Sequence, residues 1–151
     1  MTAQPLSAEG RLGVMDLIAS YAFYLDSCDI EAWLGNFLPD GVLESMNAVA
    51  AGQDQLRAWV NERIAAGKVA ANPPQLVHFV GLPLVRGDSE RCSARTYCVI
   101  LDYNAQNDVR VPMVGRYEDT CVQLDGRWFF ERRIIHGDLI GAERRVPPAQ
   151  R

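Results

Sequence analysis

The hydrophobic period of the chain changes once, at Pro73-Pro74, and that change sets the order of its elements. Before it, apolar residues recur in steps of three and four. Ser7 can cap a helix whose apolar residues fall at Leu12, Met15, Ile18, Ala22 and Leu25, one face of a helical repeat. Asp29 can cap a short second helix, Ile30 to Phe37, which Pro39 and the turn Asp40-Gly41 bring to an end. Val42 to Met46 has the length of a short strand. A third helix fits Gln53 to Ala66, with Leu56, Trp59, Val60 and Ile64 on one face and Gly67 as its stop.

After the prolines the residues become Val, Ile, Tyr, Phe, Thr and Trp, the strand formers. They fall into extended runs at Gln75 to Arg86, Arg91 to Tyr103, Val109 to Gln123 and Arg127 to His136. Gly87-Asp88, Asn104 to Asp108 and Asp125-Gly126 separate the runs with hairpin chemistry. Gly81 and Pro83 predict a bulge or bend inside the first run. Helices first and an antiparallel meander second is an α+β order. A curved antiparallel sheet wrapped around N-terminal helices forms a cone. Its internal pocket can hold an apolar small molecule against a few polar groups.

A chain of 151 residues reads as one domain, 1–151, with a core over about 8–140. The tail 142–151, with Pro147-Pro148, reads as an arm or a disordered end. Fifteen Lys and Arg stand against 19 Asp and Glu, a net charge of −4, which argues against a nucleic-acid partner. No apolar run approaches the ~18–20 residues of a membrane span. Met1 to Arg11 lacks a basic segment followed by an apolar one, so no secretory signal and no membrane association are expected, and a cytoplasmic location is. Cys28, Cys92, Cys98 and Cys121 form no CxxC pair and read as buried reduced thiols. There is no HxH, HExxH, phosphate loop or dinucleotide fingerprint. No metal and no cofactor are expected.

The stretch Asp16-Leu-Ile-Ala-Ser-Tyr21-Ala-Phe-Tyr-Leu-Asp26-Ser-Cys-Asp29 runs on to Trp33, Phe37 and Pro39-Asp40-Gly41. It resembles the opening of the SnoaL-like group within the nuclear-transport-factor-2-like, cystatin-like cone superfamily. The stretch Gly115-Arg-Tyr117-Glu-Asp119, through Asp125-Gly126-Arg-Trp128 to Arg132-Arg133-Ile-Ile, resembles that group's last two strands. The superfamily holds dehydratases, isomerases, a dehydrochlorinase, epoxide hydrolases, polyketide cyclases and non-catalytic subunits of aromatic-ring dioxygenases, and fold alone does not choose among them.

The nearest branch is that of scytalone dehydratase, bile-acid dehydratase and hexachlorocyclohexane dehydrochlorinase. There the resemblance implies an acid–base pair of an Asp on the first helix and a His on the first long strand. Asp26 and His78 stand at those places. A neutral His can take a proton near pH 7, and a carboxylate on its other ring nitrogen fixes the tautomer and stabilises the imidazolium. Read from the residues alone, Asp26 fits a cap or an arginine partner as well, and His78 a satisfied core residue. Tyr21 matches a bile-acid dehydratase tyrosine and could donate to a developing oxyanion; Tyr24 competes for that role. Five residues turn about 500°, or about 140° off one face, so Tyr21 meets Asp26 only by reaching across the cone. A core tyrosine fits equally.

Arg133 matches a pocket arginine of the dehydrochlorinase, where it could hold a leaving group or a carbonyl. The alternative is a surface charge paired with Glu131 or Glu118. Strict alternation puts Trp128, Phe130, Arg132, Ile134 and His136 on one face of the last run, and Phe129, Glu131, Arg133 and Ile135 on the other. Tyr24, Trp33, Trp59, Phe79, Met113 and Phe130 are the candidate pocket lining. Ser45 stands where the ketosteroid isomerase pattern wants an Asp, and Arg95-Thr-Tyr97 does not supply the limonene epoxide hydrolase pattern.

The resemblance implies a cofactor-independent lyase of the dehydratase type, or an isomerase, acting on an apolar cyclic small molecule. The alternatives are the non-catalytic small (beta) subunit of a ring-hydroxylating dioxygenase and a small-molecule binding module. An exposed sheet face carrying Val, Ile and Tyr would leave a large apolar patch, so a homo-oligomer is expected, a trimer ahead of a dimer.

Overall fold

The computed structural model describes residues 4–66, 76–103 and 109–140. The Gly67 stop, the Pro73-Pro74 break, the 104–108 turn and the tail 142–151 lie outside the described residues. Helix α1 (Ala8–Asp26) begins as its sequence dictates, with the Ser7 hydroxyl accepting from the Gly10 N–H at 3.0 Å. Its buried stripe runs through Val14, Leu17, Ile18, Tyr21, Ala22 and Leu25, and Leu12 is left outside it. Asp29 caps α2 (Ile30–Leu34) through the Ala32 N–H at 3.1 Å. This helix is shorter than predicted, because Phe37 already belongs to the strand β1 (Phe37–Ser45). Strand β2 (Ala48–Ala51) and helix α3 (Gly52–Ala65) follow.

The predicted run 75–86 is two strands, β3 (Leu76–Val80) and β4 (Leu84–Gly87). Both pair with β5 (Arg91–Tyr103), through Val80 opposite Cys98 and Leu84 opposite Arg95. Gly81 and Pro83 make the break that they predict. Strands β6 (Val109–Leu124) and β7 (Arg127–Ile140) complete the sheet. Asp125 and Gly126 join them at φ +50° and +79°, the left-handed pair that a two-residue hairpin needs.

The sheet order is β2-β1-β7-β6-β5-β3, with β4 also on β5. It is an open, curved sheet with N-terminal helices, as expected, but it is mixed and not wholly antiparallel. Strand β1 lies parallel to β7, because a long stretch of chain separates the two and no hairpin constrains their direction. Helix α1 packs on β3 and β7, and α3 on β1 and β2. Between them lie Val14, Ile18, Leu34, Leu43, Leu56 and Phe130, all fully or almost fully buried. Each such side chain contributes roughly 1.5–3 kcal/mol of burial. No described helix is long and apolar enough to cross a membrane.

Two irregularities shape the long hairpin of β6 and β7. Cys121 pairs with Phe130 and Thr120 with Arg132, so Glu131 is an extra residue on β7. Val114 and Gly115 pair with Leu139 and Gly137, which makes residue 138 another. A Cβ at Gly115 would sit 2.1 Å from the His136 carbonyl oxygen, so only glycine fits there. The inner face of β5 is buried from Cys92 through Ala94, Thr96 and Cys98, then half-buried at Ile100 and Asp102. The cone is therefore closed at the Cys92 end and opens toward Asp102.

Candidate active site

Asp26 is the last residue of α1 and His78 the middle residue of β3. A carboxylate at a helix C-terminus opposes the helix dipole, and no basic residue in that last turn offsets it. Its partner lies elsewhere. Asp26 Oδ2 accepts from the His78 backbone N–H at 2.8 Å, and Oδ1 lies 2.6 Å from His78 Nδ1. One residue thus engages both carboxylate oxygens, and the ring and its strand are fixed together. The His78 and Asp26 side chains are only 8% and 11% exposed, so water competes weakly for this contact. An ionised carboxylate can only accept, so Nδ1 carries the hydrogen of this contact and Nε2 is the ring nitrogen left for other partners.

His78 lines a cavity of about 290 Å³, together with Tyr21, Leu25, Trp59, Ile100 and Tyr117. Met113, Ile135, Leu76 and Pro112 extend the apolar wall, while Ser45, Met46, Arg63 and Asp102 also border it. Asp26 is not among the lining residues; it stands behind the ring. Tyr21 lines the cavity and is 1% exposed. The 140° problem is resolved without convergence, because Asp26 acts on β3 and His78 alone of the pair reaches the cavity. Burial pushes the Tyr21 phenol up to about 12, although the Arg133 charge pulls the other way. Burial likewise raises Tyr117 well above the ordinary phenol range. Both remain neutral phenols at physiological pH.

Arg133 does not enter the cavity. Its Nε and Nη2 donate to Asp119 Oδ1 and Oδ2, each at 2.7 Å, and both side chains are fully buried. Its guanidinium carbon lies 4.1 Å from the ring centres of Tyr21, Tyr117 and Phe130. Burial works against the charge. Asp119 and the neighbouring phenol oxygens outweigh it and raise the Arg133 pKa. The expected role in holding a leaving group is therefore corrected, and so is the surface alternative: Glu131 pairs with Arg91, and Glu118 lies 3.2 Å from His136. The Glu131 bulge is the cause. It shifts the alternation by one residue, so Phe130 and Arg133 both turn inward and Arg132 turns out.

Of the expected lining, Trp59 and Met113 border the cavity. Phe79 does not: it is 65% exposed on the outer face of β3, one residue out of phase with His78. Trp33 is completely buried behind the wall, stacked on Trp59 with ring centres 5.8 Å apart. Phe130 lies under Arg133, and Tyr24 packs half-buried against the core away from the cavity. Tyr117, Arg63 and Asp102 were not foreseen. Alternation along β6 from Met113 would have found Tyr117. Arg63 and Asp102 carry no local signal, because only the closure of α3 over the sheet brings them to one cavity. Among the described residues the cysteines form no disulfide; Cys92, Cys98 and Cys121 are buried, Cys92 directly opposite Cys121, and Cys28 is half-buried.

A curved sheet folded over a long N-terminal helix, with an open cavity between them, defines a cystatin-like cone. The chain belongs to the SnoaL-like domain family, whose model matches residues 7–134. No curated protein sequence matches it. Among solved structures it is similar to a protein of unknown function with a cystatin-like fold from Nostoc punctiforme. That protein is 21% identical, with 89% of this chain and 96% of that one covered and a TM-score of 0.80. It is also similar to two proteins from Novosphingobium aromaticivorans. One is titled "Putative Scytalone Dehydratase": 20% identity, 86% and 85% coverage, TM-score 0.70. The other is titled the beta subunit of a "putative aromatic-ring-hydroxylating dioxygenase": 18% identity, 87% and 90% coverage, TM-score 0.71. At these identities the likeness is one of fold.

Proposed function

We propose that the protein is a cofactor-independent lyase of the dehydratase type, or an isomerase, acting on an apolar cyclic small molecule. The observation that carries this reading is the Asp26–His78 pair at 2.6 Å, with the ring on the wall of an apolar cavity. His78 Nε2 removes a proton from a carbon beside an activating carbonyl, and the electron pair moves toward the carbonyl oxygen. Asp26 stabilises the imidazolium that forms. The neutral Tyr21 phenol donates to the developing oxyanion. In elimination the oxyanion collapses, the C–O bond to a β-hydroxyl breaks, and the imidazolium proton leaves with that oxygen as water. In isomerisation the same proton returns to another carbon. Neither path needs a redox partner.

The fold likeness to the "Putative Scytalone Dehydratase" supports this class. The dioxygenase-subunit reading has a fold likeness in its favour, but a non-catalytic subunit has no use for a carboxylate that engages a cavity histidine twice. The test is turnover of β-hydroxy cyclic ketones by native protein and by His78→Ala and Asp26→Asn. Turnover that persists in both variants sinks the proposal.

Self-association belongs to the same proposal. Phe79, Leu82 and Tyr97, exposed by 65%, 85% and 76%, stand on the outer side of the β3–β5 part of the sheet. They make an apolar patch of the kind that monomers rarely leave open. Light scattering is expected to give a homo-oligomer, and Phe79→Lys with Tyr97→Lys is expected to give a monomer. A monomeric native protein contradicts this.

A further inference from the structure

We propose that Arg63 and Asp102 select the substrate by its outer end. They form a charged rim that takes an uncharged group able both to accept and to donate a hydrogen bond, namely a hydroxyl on an apolar ring body. This rests on the reading of the His78 cavity as the substrate site. Asp102 lies on the inner face of β5, two residues beyond Ile100, which pairs with His78. At about 3.4 Å per residue it stands roughly 7 Å along the strand from the level of the base, at the open end of the cone. Arg63 comes from the last turn of α3, with its guanidinium carbon 5.0 Å from the centre of the Trp59 ring. That stacking holds the plane of the fork in place.

Both residues border the cavity, yet they do not pair with each other. Among the described residues neither has another ion-pair partner, and the buried Arg63 Nε has no hydrogen-bond acceptor. A buried donor without an acceptor is costly in a finished site and is what a bound ligand would satisfy. The sign of the charges chooses the ligand. A carboxylate would suit Arg63 and be repelled by Asp102; an ammonium group would suit Asp102 and be repelled by Arg63. A hydroxyl accepts from the guanidinium and donates to the carboxylate, and it adds no charge. The ring body then lies along Trp59, Ile100 and Met113, toward His78 and the phenols below.

Calorimetric titration with para-phenylphenol, its methyl ether and para-phenylbenzoate tests this on the native protein. The phenol is expected to bind about tenfold more tightly than the ether, which cannot donate, and than the benzoate, which meets Asp102. In Asp102→Leu the phenol and the ether are expected to bind within about twofold of each other, with the benzoate improved. In Arg63→Met all three are expected to weaken. Equal affinities in the native protein, tightest binding of the benzoate, or a phenol preference that survives both substitutions overturns the proposal. Binding of none of the three overturns the cavity assignment and the rim with it. The readout is affinity, so loss of lyase turnover with the preference intact, or the reverse, separates this inference from the catalytic one.

Discussion

His78→Ala is expected to lower kcat/KM by about 10²–10⁴-fold, the usual contribution of a positioned general base. The loss should fall on kcat more than on KM, because the ring acts on the proton in transit and the apolar wall binds the ground state. Asp26→Asn should cost a comparable amount by a different route. The amide can still accept from the His78 backbone N–H, so β3 stays anchored to α1. What is lost is the negative charge 2.6 Å from Nδ1, and with it both the tautomer and the stabilised imidazolium. The double variant should be scarcely worse than either single one, since the two side chains act as a unit. Independent, additive losses would show that Asp26 and His78 do not share one task.

The largest expected effect on stability lies below the cavity. Asp119→Ala leaves the Arg133 guanidinium fully buried, between the rings of Tyr21, Tyr117 and Phe130, without its bidentate partner. Breaking a buried pair from one side costs about 3–5 kcal/mol, because the remaining charge stays uncompensated. In a chain of this length that is a fall in Tm of about 6–20 °C. Asp119→Leu combined with Arg133→Met should recover most of the loss, since an apolar pair of similar volume carries no desolvation cost. Thermal unfolding at fixed protein concentration checks both. An Asp119→Ala variant within about 1 kcal/mol of the native protein would contradict the account of Arg133 as the charged support of the two phenols.

The order of elements was legible because it depends on local chemistry: the Ser7 and Asp29 caps, the Asp125-Gly126 turn, and the break at Gly81 and Pro83 all act within a few residues. The candidate pair was legible because the resemblance supplied both positions, Asp26 and His78. Arg133 was misread because a single inserted residue, Glu131, shifts the alternation of β7 from Arg132 onward as far as the next irregularity, and nothing in the composition of β7 announces a bulge. Phe79 was misread for a simpler reason. It is aromatic, but its neighbour His78 already occupies the inward phase of the strand. The parallel partnership of β1 with β7 and the placing of Arg63 and Asp102 on one cavity join parts of the chain that are far apart in sequence, so periodicity could not reveal them.

The proposed lyase chemistry requires that Asp26 hold His78 as the Nδ1–H tautomer, with an Nε2 lone pair available to the cavity. Long-range ¹⁵N–¹H correlation spectra of the histidine side chains read this directly at neutral pH. A protonated Nδ1 and an unprotonated Nε2 are expected for His78, with that pattern lost in Asp26→Asn. A hydrogen on Nε2 in the native protein, whether as the other tautomer or as a ring doubly protonated at neutral pH, would contradict it.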